Sequence, residues 1–259
     1  MTKIHLQDCL EFMRSTNSRF DMVMTSPPYN TARKTKTDAA LQHLDNRYIS
    51  FEDQKTDAEY RSWTLKLFDG FDRVVKPNGS VAYNISYSSE NTELMWLTIA
   101  DILTNTCWTV SDCITWKKKS ALPNNVTPNK LTRITEYIFI FCRRSESKTF
   151  HGNKKYTKSS ASGQLFYENA FNYIEAKNND GPVKNHKATY SKDLCLRVFD
   201  LFGRKGGSVY DPFMGTGTTG LAALEWGMDY EGTEIVPEYK ELADKRIGEA
   251  IREQFQDIL

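Results

Sequence analysis

Two stretches of the chain carry residue types that could act on a small flat ligand. The first is Met24-Thr25-Ser26-Pro27-Pro28-Tyr29-Asn30. It follows Phe20-Asp21-Met22-Val23, a mostly apolar run that reads as a short strand. Prolines fix φ and donate no N–H, so the chain can neither extend a ladder nor relax into a helix here. The expected result is a stiff turn at a strand's C-terminal end, the edge where open α/β sheets hold ligands. A hydroxyl, free carbonyls and an aromatic face on that turn suit a flat heteroaromatic amine. An ordinary Pro-Pro loop is the competing reading of these residues alone.

The second stretch is Asp211-Pro212-Phe213-Met214-Gly215-Thr216-Gly217-Thr218-Thr219-Gly220. Ser208-Val209-Tyr210 before it reads as a strand, and Leu221 to Glu225 after it as a helix stopped by Gly227. A further strand, Tyr230 to Thr233, ends in Glu234. Strand, glycine turn, helix, strand, acid is the order of an adenosine-cofactor site. Glycines admit close approach of a ligand, and the distal acid can accept both ribose hydroxyls. Asp211 would repel a pyrophosphate and attract an α-amino group. S-adenosyl-L-methionine, with an amino acid and a ribose but no phosphate, fits. A Walker loop is excluded, because no Gly-Lys-Ser/Thr occurs there.

These stretches need elements to hold them. Lys3 to Leu6 reads as a strand, and a short amphipathic helix follows through Leu10 and Met13. Asp8 between them is either the N-cap of that helix or a ligand contact at a strand end. Thr31 to Tyr48 is polar and aperiodic, and reads as a loop beside the turn. Thr56 and Glu59 form a capping box, opening a helix with Tyr60, Trp63, Leu67, Phe71 and Val74 on one face. Lys76-Pro77-Asn78-Gly79 reads as a turn, and Ser80 to Ile85 as a buried strand. Met95, Ile99, Ile102 and Leu103 mark the next helix, then Trp108–Trp116 and Tyr137–Phe141 read as strands. A stripe of Leu194, Val198, Leu201 and Phe202 closes at Gly203, and a last helix starts at Pro237. Alternating strands and helices predict a doubly wound α/β fold.

The 259 residues carry a formal net charge of +1, so the total says nothing about partners. The distribution does. Between Lys117 and Lys192 stand 15 Lys and Arg against 5 Asp and Glu, leaving the remainder acidic. Phe150, Tyr156, Phe166, Tyr167, Phe171 and Tyr173 interleave with these bases. That composition suits a nucleic-acid surface, with a solvated lysine-rich loop as the bland alternative. The five cysteines form no C-x-x-C pair and the four histidines are scattered, so neither a metal site nor a disulfide framework is expected. No run suits a membrane span or a signal peptide, and a cytoplasmic location is expected.

Asp-Pro-Phe-Met-Gly-Thr-Gly-Thr-Thr at 211–219 resembles the cofactor motif of DNA amino-methyltransferases. Thr-Ser-Pro-Pro-Tyr at 25–29 resembles their catalytic motif. The catalytic motif comes first, which resembles the circularly permuted β group, with its target-recognition region between the halves. The resemblance covers nearly the whole chain. It implies a Rossmann-like, mostly parallel sheet: a catalytic half at 1–116, a basic target-recognition insertion at 117–190 that contains a core strand at 134–142, and a cofactor-binding half at 191–259. Asp211, Pro212, Phe213, Gly215, Thr216, Gly217 and Thr218 would form the cofactor loop. Glu234 would hold the ribose and Asp8 the adenine amino group. Asn185-His186-Lys187-Ala188 lacks the His-Pro usual in the family before its helix, so no role is assigned there.

The implied reaction methylates an exocyclic amino group of a base flipped from double-stranded DNA. Ser26 Oγ and the Pro27 carbonyl would accept the amino hydrogens and aim the nitrogen lone pair at the methyl group. Pro28 stiffens the turn, and the ring of Tyr29, rather than its hydroxyl, would capture the base. No cysteine follows a proline, which argues against a covalent adduct on the cytosine ring. In that family a Ser before Pro-Pro-Tyr goes more often with N4 of cytosine and an Asp with N6 of adenine, so the resemblance implies N4 of cytosine, with N6 of adenine as the alternative. An RNA or protein amide methyltransferase, or a non-catalytic DNA-binding protein, are rival readings. A companion restriction endonuclease and a homodimer stay open.

Lys154, Lys155 and Lys158 are the expected phosphate contacts. Neutralising all three should weaken duplex binding and flatten its dependence on salt, as read by a titration at several salt concentrations.

Overall fold

Strand β1 (Thr2–Leu6) leads through helix α1 (Cys9–Ser15) to β2 (Phe20–Thr25). Helix α2 (Asp57–Val74), β3 (Val75–Ile85), α3 (Leu94–Asn105), β4 (Trp108–Lys118) and β5 (Thr135–Arg143) follow. Three short strands come next: β6 (Tyr156–Ser159), β7 (Leu165–Tyr167) and β8 (Tyr173–Ala176). Then α4 (Lys192–Phe202), β9 (Ser208–Asp211), α5 (Thr218–Trp226), β10 (Asp229–Glu234) and α6 (Pro237–Gln256) complete the chain. The structure, a computed structural model, describes residues 1–30, 55–88, 91–120, 128–181 and 190–256. The loop expected at 31–48 and the stretch Asn185-His186-Lys187-Ala188 lie outside these residues.

Eight strands form one sheet in the order β1-β10-β9-β2-β3-β5-β4-β8, and β6 pairs with β7 as a separate hairpin. The pairings from β1 across to β3 are parallel; β3–β5 and β5–β4 are antiparallel, and β8 adds in parallel to β4. The expected mostly parallel, doubly wound sheet is therefore present. Successive strand side chains point to opposite faces, and two cores result. Met22, Met24, Ala82, Ile138 and Ile140 face a cluster that includes Leu194 and Val198 of α4, Ala222 of α5 and Ile247 of α6. Val23, Val81, Tyr83, Phe139 and Phe141 face the other, with Phe12 of α1, Leu67, Phe68 and Phe71 of α2, and Ile99 of α3.

Local signals explain the element starts. The Thr56–Glu59 capping box is formed in both directions, and Ser191 caps α4 through Leu194 N. The turn expected at 76–79 is absorbed into β3. Val75 pairs with Phe20 and the ladder resumes at Ser80 opposite Met22, so residues between them bulge, with Asn78 at φ 59°. The short strand β8 was not foreseen. Ile174 and Ala176 join the first core, and Phe150, read as part of a nucleic-acid surface, instead stacks on Phe202 at 6.2 Å. Among the described residues no helix is long and apolar enough to cross a membrane.

Gly79 marks the tightest point of the bulge. A Cβ there would lie 2.6 Å from Val75 Cγ1 and 2.7 Å from the Asp21 carbonyl oxygen. Backbone cannot swing aside as a flexible side chain does. Gly79→Ala should cost about 1–3 kcal/mol of stability, read from urea unfolding.

Candidate active site

The chain order reverses within the sheet at β9 and β2. From β9 the chain runs to β10 on one side, with β1 beyond it in the sheet, while from β2 it runs to β3 on the other. Met22 pairs with Val209 and Val23 with Tyr210, both strands running the same way. The Pro-Pro turn after β2 and the glycine loop after β9 therefore leave neighbouring strands at one edge, the crevice position for ligands in such sheets.

At the turn, Ser26 Oγ lies 3.0 Å from the Tyr29 hydroxyl. The Tyr29 hydroxyl donates to Glu136 Oε2 at 2.9 Å and accepts from Asn84 Nδ2 at 2.8 Å. Asn84 Nδ2 also reaches Glu136 Oε2 at 3.0 Å, and Lys118 pairs with the other carboxylate oxygen. The ring of Tyr29 packs against the second core. The reading that its ring alone works is thus incomplete, since its hydroxyl bonds three side chains. The Tyr60 hydroxyl donates to the Pro28 carbonyl at 2.9 Å, fastening the turn to α2. Asn30, at φ 52°, clasps both the N–H and the C=O of Lys55.

Asp211 is 1% exposed and sits between the two loops. Its Oδ1 accepts from Thr25 Oγ1 at 3.0 Å and Phe213 N at 3.1 Å. Its Oδ2 accepts from Thr219 Oγ1 at 2.5 Å and the Tyr190 hydroxyl at 3.3 Å. A direct contact with a cofactor's α-amino group does not fit this arrangement, because protein donors occupy both oxygens and burial closes the carboxylate off. Burial pushes its acid up from 3.8 to about 6, outweighing the hydrogen bonds that pull it down.

The loop itself fits an adenosyl amino acid. Gly215 and Gly217 adopt φ of 51° and 81°, open to glycine at little cost, and α5 begins directly after. A Cβ on Gly217 would sit 3.1 Å from both Ala243 and Ile247. Gly215 N donates to Glu234 Oε2 at 3.0 Å, while Glu234 Oε1 accepts from Ile235 N and Val236 N. Burial raises the Glu234 acid against those bonds. Leu6 pairs with Glu234, so Asp8 stands at the neighbouring strand end. Asp8 Oδ1 caps α1 through Leu10 N and Glu11 N, the structural half of its two readings. Phe213 packs on Trp63 at 5.6 Å. Thr233 Oγ1 bonds the Pro212 carbonyl, Arg246 binds Thr216 through its carbonyl and its hydroxyl, and Thr218 is buried at the first turn of α5.

Lys154, Lys155 and Lys158 stand exposed on or beside the β6–β7 hairpin, with Lys158 over the Phe166 ring at 5.8 Å. Tyr156, Phe166, Tyr167, Phe171 and Tyr173 are exposed nearby in sequence. The residues missed from sequence are Thr25, Asn84, Lys118, Glu136, Tyr190 and Thr219. Only Thr25 and Thr219 stood inside a recognised motif; the others converge from strand ends and a helix start remote in sequence.

The raised acid of Asp211 makes stability depend on pH. The folded protein holds this proton more tightly than the unfolded chain does. Its contribution is therefore full below about pH 4 and is lost as pH rises through about 6. Stability of the native protein relative to Asp211→Asn should fall by on the order of 2–3 kcal/mol across that window, read from urea unfolding at both ends.

The sequence matches the family described as DNA methylase, of the N6/N4 methyltransferase type, over residues 20–245. The type II methyltransferase M.SmaI of Serratia marcescens is 26% identical over 277 residues, covering 95% of this chain and 90% of its own. M.MthZI of Methanothermobacter thermautotrophicus is 25% identical over 281 residues, covering 96% and 77%. The solved cytosine-N4-specific PvuII DNA methyltransferase superposes with a TM-score of 0.69 at 17% identity, over 96% of this chain and 90% of that one. The M1.HpyAVI–SAM complex gives 0.62 at 21% identity, over 95% and 100%. A glycine loop and a Ser-Pro-Pro-Tyr turn braced by one buried acid thus sit on a fold shared with solved methyltransferases, and the chain belongs to the N6/N4 family of S-adenosylmethionine-dependent DNA methyltransferases.

Proposed function

We propose that this enzyme methylates N4 of cytosine in a specific duplex sequence. The observation that carries the reading is Ser26, a neutral hydroxyl where an acid would favour adenine, placed beside the loop after β9. The named base of the PvuII enzyme points the same way for that protein. N6 of adenine is the alternative within the family. Bound S-adenosylmethionine supplies an electrophilic methyl group. Ser26 Oγ and the Pro27 carbonyl accept the amino hydrogens, which turns the nitrogen lone pair out of conjugation and toward that methyl. Holding both partners at one sheet edge supplies much of the acceleration. Phe213, Gly215 and Gly217 line the methionine end, Glu234 holds the ribose, and Asp8 uses its remaining oxygen on the adenine amino group. Asp211 braces the loop from behind.

The exposed hairpin carrying Lys154, Lys155 and Lys158 meets phosphates, and its aromatics reach the groove. The curated relatives are type II methyltransferases, and a companion endonuclease is proposed on that ground. Incubation with labelled S-adenosylmethionine and genomic duplex, followed by nucleoside mass spectrometry, should yield N4-methylcytosine. N6-methyladenine would replace the cytosine reading, and label in RNA or protein but not DNA would overturn the substrate class.

A further inference from the structure

Glu136 lies in β5, far in sequence from both motifs, yet it bonds the turn. We propose that Glu136 is a positioning residue that sets the direction of a hydrogen-bond relay through Tyr29 to Ser26 and receives the proton shed by the methylated amino group. The inference rests on the amino-methylation reading above.

The direction follows from donor and acceptor types. An ionised carboxylate only accepts, and an amide Nδ2 only donates. Glu136 Oε2 therefore takes the single hydrogen of the Tyr29 hydroxyl at 2.9 Å. Asn84 Nδ2 fills one Tyr29 lone pair at 2.8 Å. The other lone pair remains for Ser26, 3.0 Å away, so Ser26 is the donor in that bond. With its hydrogen turned toward Tyr29 and Asn84 Nδ2 donating to it at 3.4 Å, Ser26 keeps one lone pair for an incoming amino group. Without the carboxylate, Tyr29 could donate to Ser26 instead, and Ser26 would then point its hydrogen at the substrate nitrogen. Lys118 holds the far carboxylate oxygen from β4, which leaves Oε2 aimed at Tyr29.

The same chain balances the reaction. The amino nitrogen gives its lone pair to the methyl carbon, and the C–S bond breaks with its pair going to sulfur. The nitrogen then carries one hydrogen too many and a positive charge. That proton passes to Ser26 Oγ, the Ser26 proton to Tyr29, and the Tyr29 proton to Glu136. Both hydroxyls end neutral, the carboxylate ends protonated, and its proton is lost to solvent before the next turnover.

Single-turnover methyl transfer on saturating duplex tests this. Glu136→Gln keeps the shape but cannot take the proton. Transfer should slow by about a hundredfold or more, the low end of what a positioned proton acceptor supplies. Cofactor and duplex Kd should stay within about twofold of the native values, a split that a collapsed site would not give. Tyr29→Phe should slow transfer to a similar degree, and the double variant should be no slower than the slower single one, because a unit is lost only once. A rate within twofold of the native enzyme in either single variant, or losses that multiply, overturns the proposal. Should Glu136→Gln fail to fold, Tyr29→Phe removes one oxygen and cuts the same relay. A readout without turnover separates this from the reading it rests on. In cofactor-free protein with 13Cζ-labelled tyrosine, the resonance that Tyr29→Phe deletes should shift in Glu136→Gln. An unmoved resonance overturns the proposal even if the native enzyme methylates something other than DNA.

Discussion

The pairing of β2 with β9 is the constraint on which the site depends. The two strands share a short ladder at Met22–Val209 and Val23–Tyr210. Carboxylates pin it at each end. At the start of β2, Asp21 bonds Lys76 at 2.7 Å and Ser208 N at 2.9 Å. At the ligand edge, Asp211 accepts from Thr25 of β2, from Phe213 N and Thr219 on either side of the glycine loop, and from Tyr190 just before α4. The two ends differ in kind. Burial works against the Asp21 charge, but the Lys76 ammonium prevails and holds that acid below its ordinary range. Asp211 has hydroxyl and amide donors and no bonded cation, so burial wins. A buried acid that burial pushes upward is a poor source of stability, and its placement serves geometry instead.

That geometry joins the Pro-Pro turn to the glycine loop through one side chain. Thr25 precedes Ser26, and Phe213 N leads toward Gly215, so Asp211 touches residues beside both parts of the proposed site. A shift of about 1 Å between the loops would cost a large factor in rate, since transfer in line needs the nitrogen and methyl group close and aligned. Aromatic packing adds a second tie, as Tyr60 holds the turn while Trp63, its neighbour in α2, packs on Phe213.

Much of this was legible in the sequence because the two motifs are contiguous. Pro27 and Pro28 dictate a turn wherever they stand, and Gly215 and Gly217 require a loop that only glycine follows easily. The helices were legible from their stripes and caps, as at Thr56 and Glu59. What stayed hidden depends on register between distant strands. Asn84 and Glu136 face Tyr29 only because Asn84 pairs with Ile138 and Trp116 with Glu136 across antiparallel neighbours. No local pattern announces that. Strand β8 was masked for a different reason: four residues, two of them apolar, lie within a basic and aromatic segment whose composition suggested surface. Asp211 was recognised as important, but its charge suggested a ligand where the structure gives it four protein donors.

The separation of Thr25 from Asp211 by 186 residues has a consequence for how the protein is made. A ribosome adding about 5–20 residues per second needs roughly ten to forty seconds to cover that distance. During that interval β2 can pair with β3 but lacks its other flank. It is a temporary sheet edge, apolar on both faces and rich in unpaired peptide groups, the kind of template on which foreign strands add. The segment around β2 is thus the aggregation-prone part of the nascent chain, and the arrival of β9 seals that edge in the same step that brings the Pro-Pro turn beside the glycine loop.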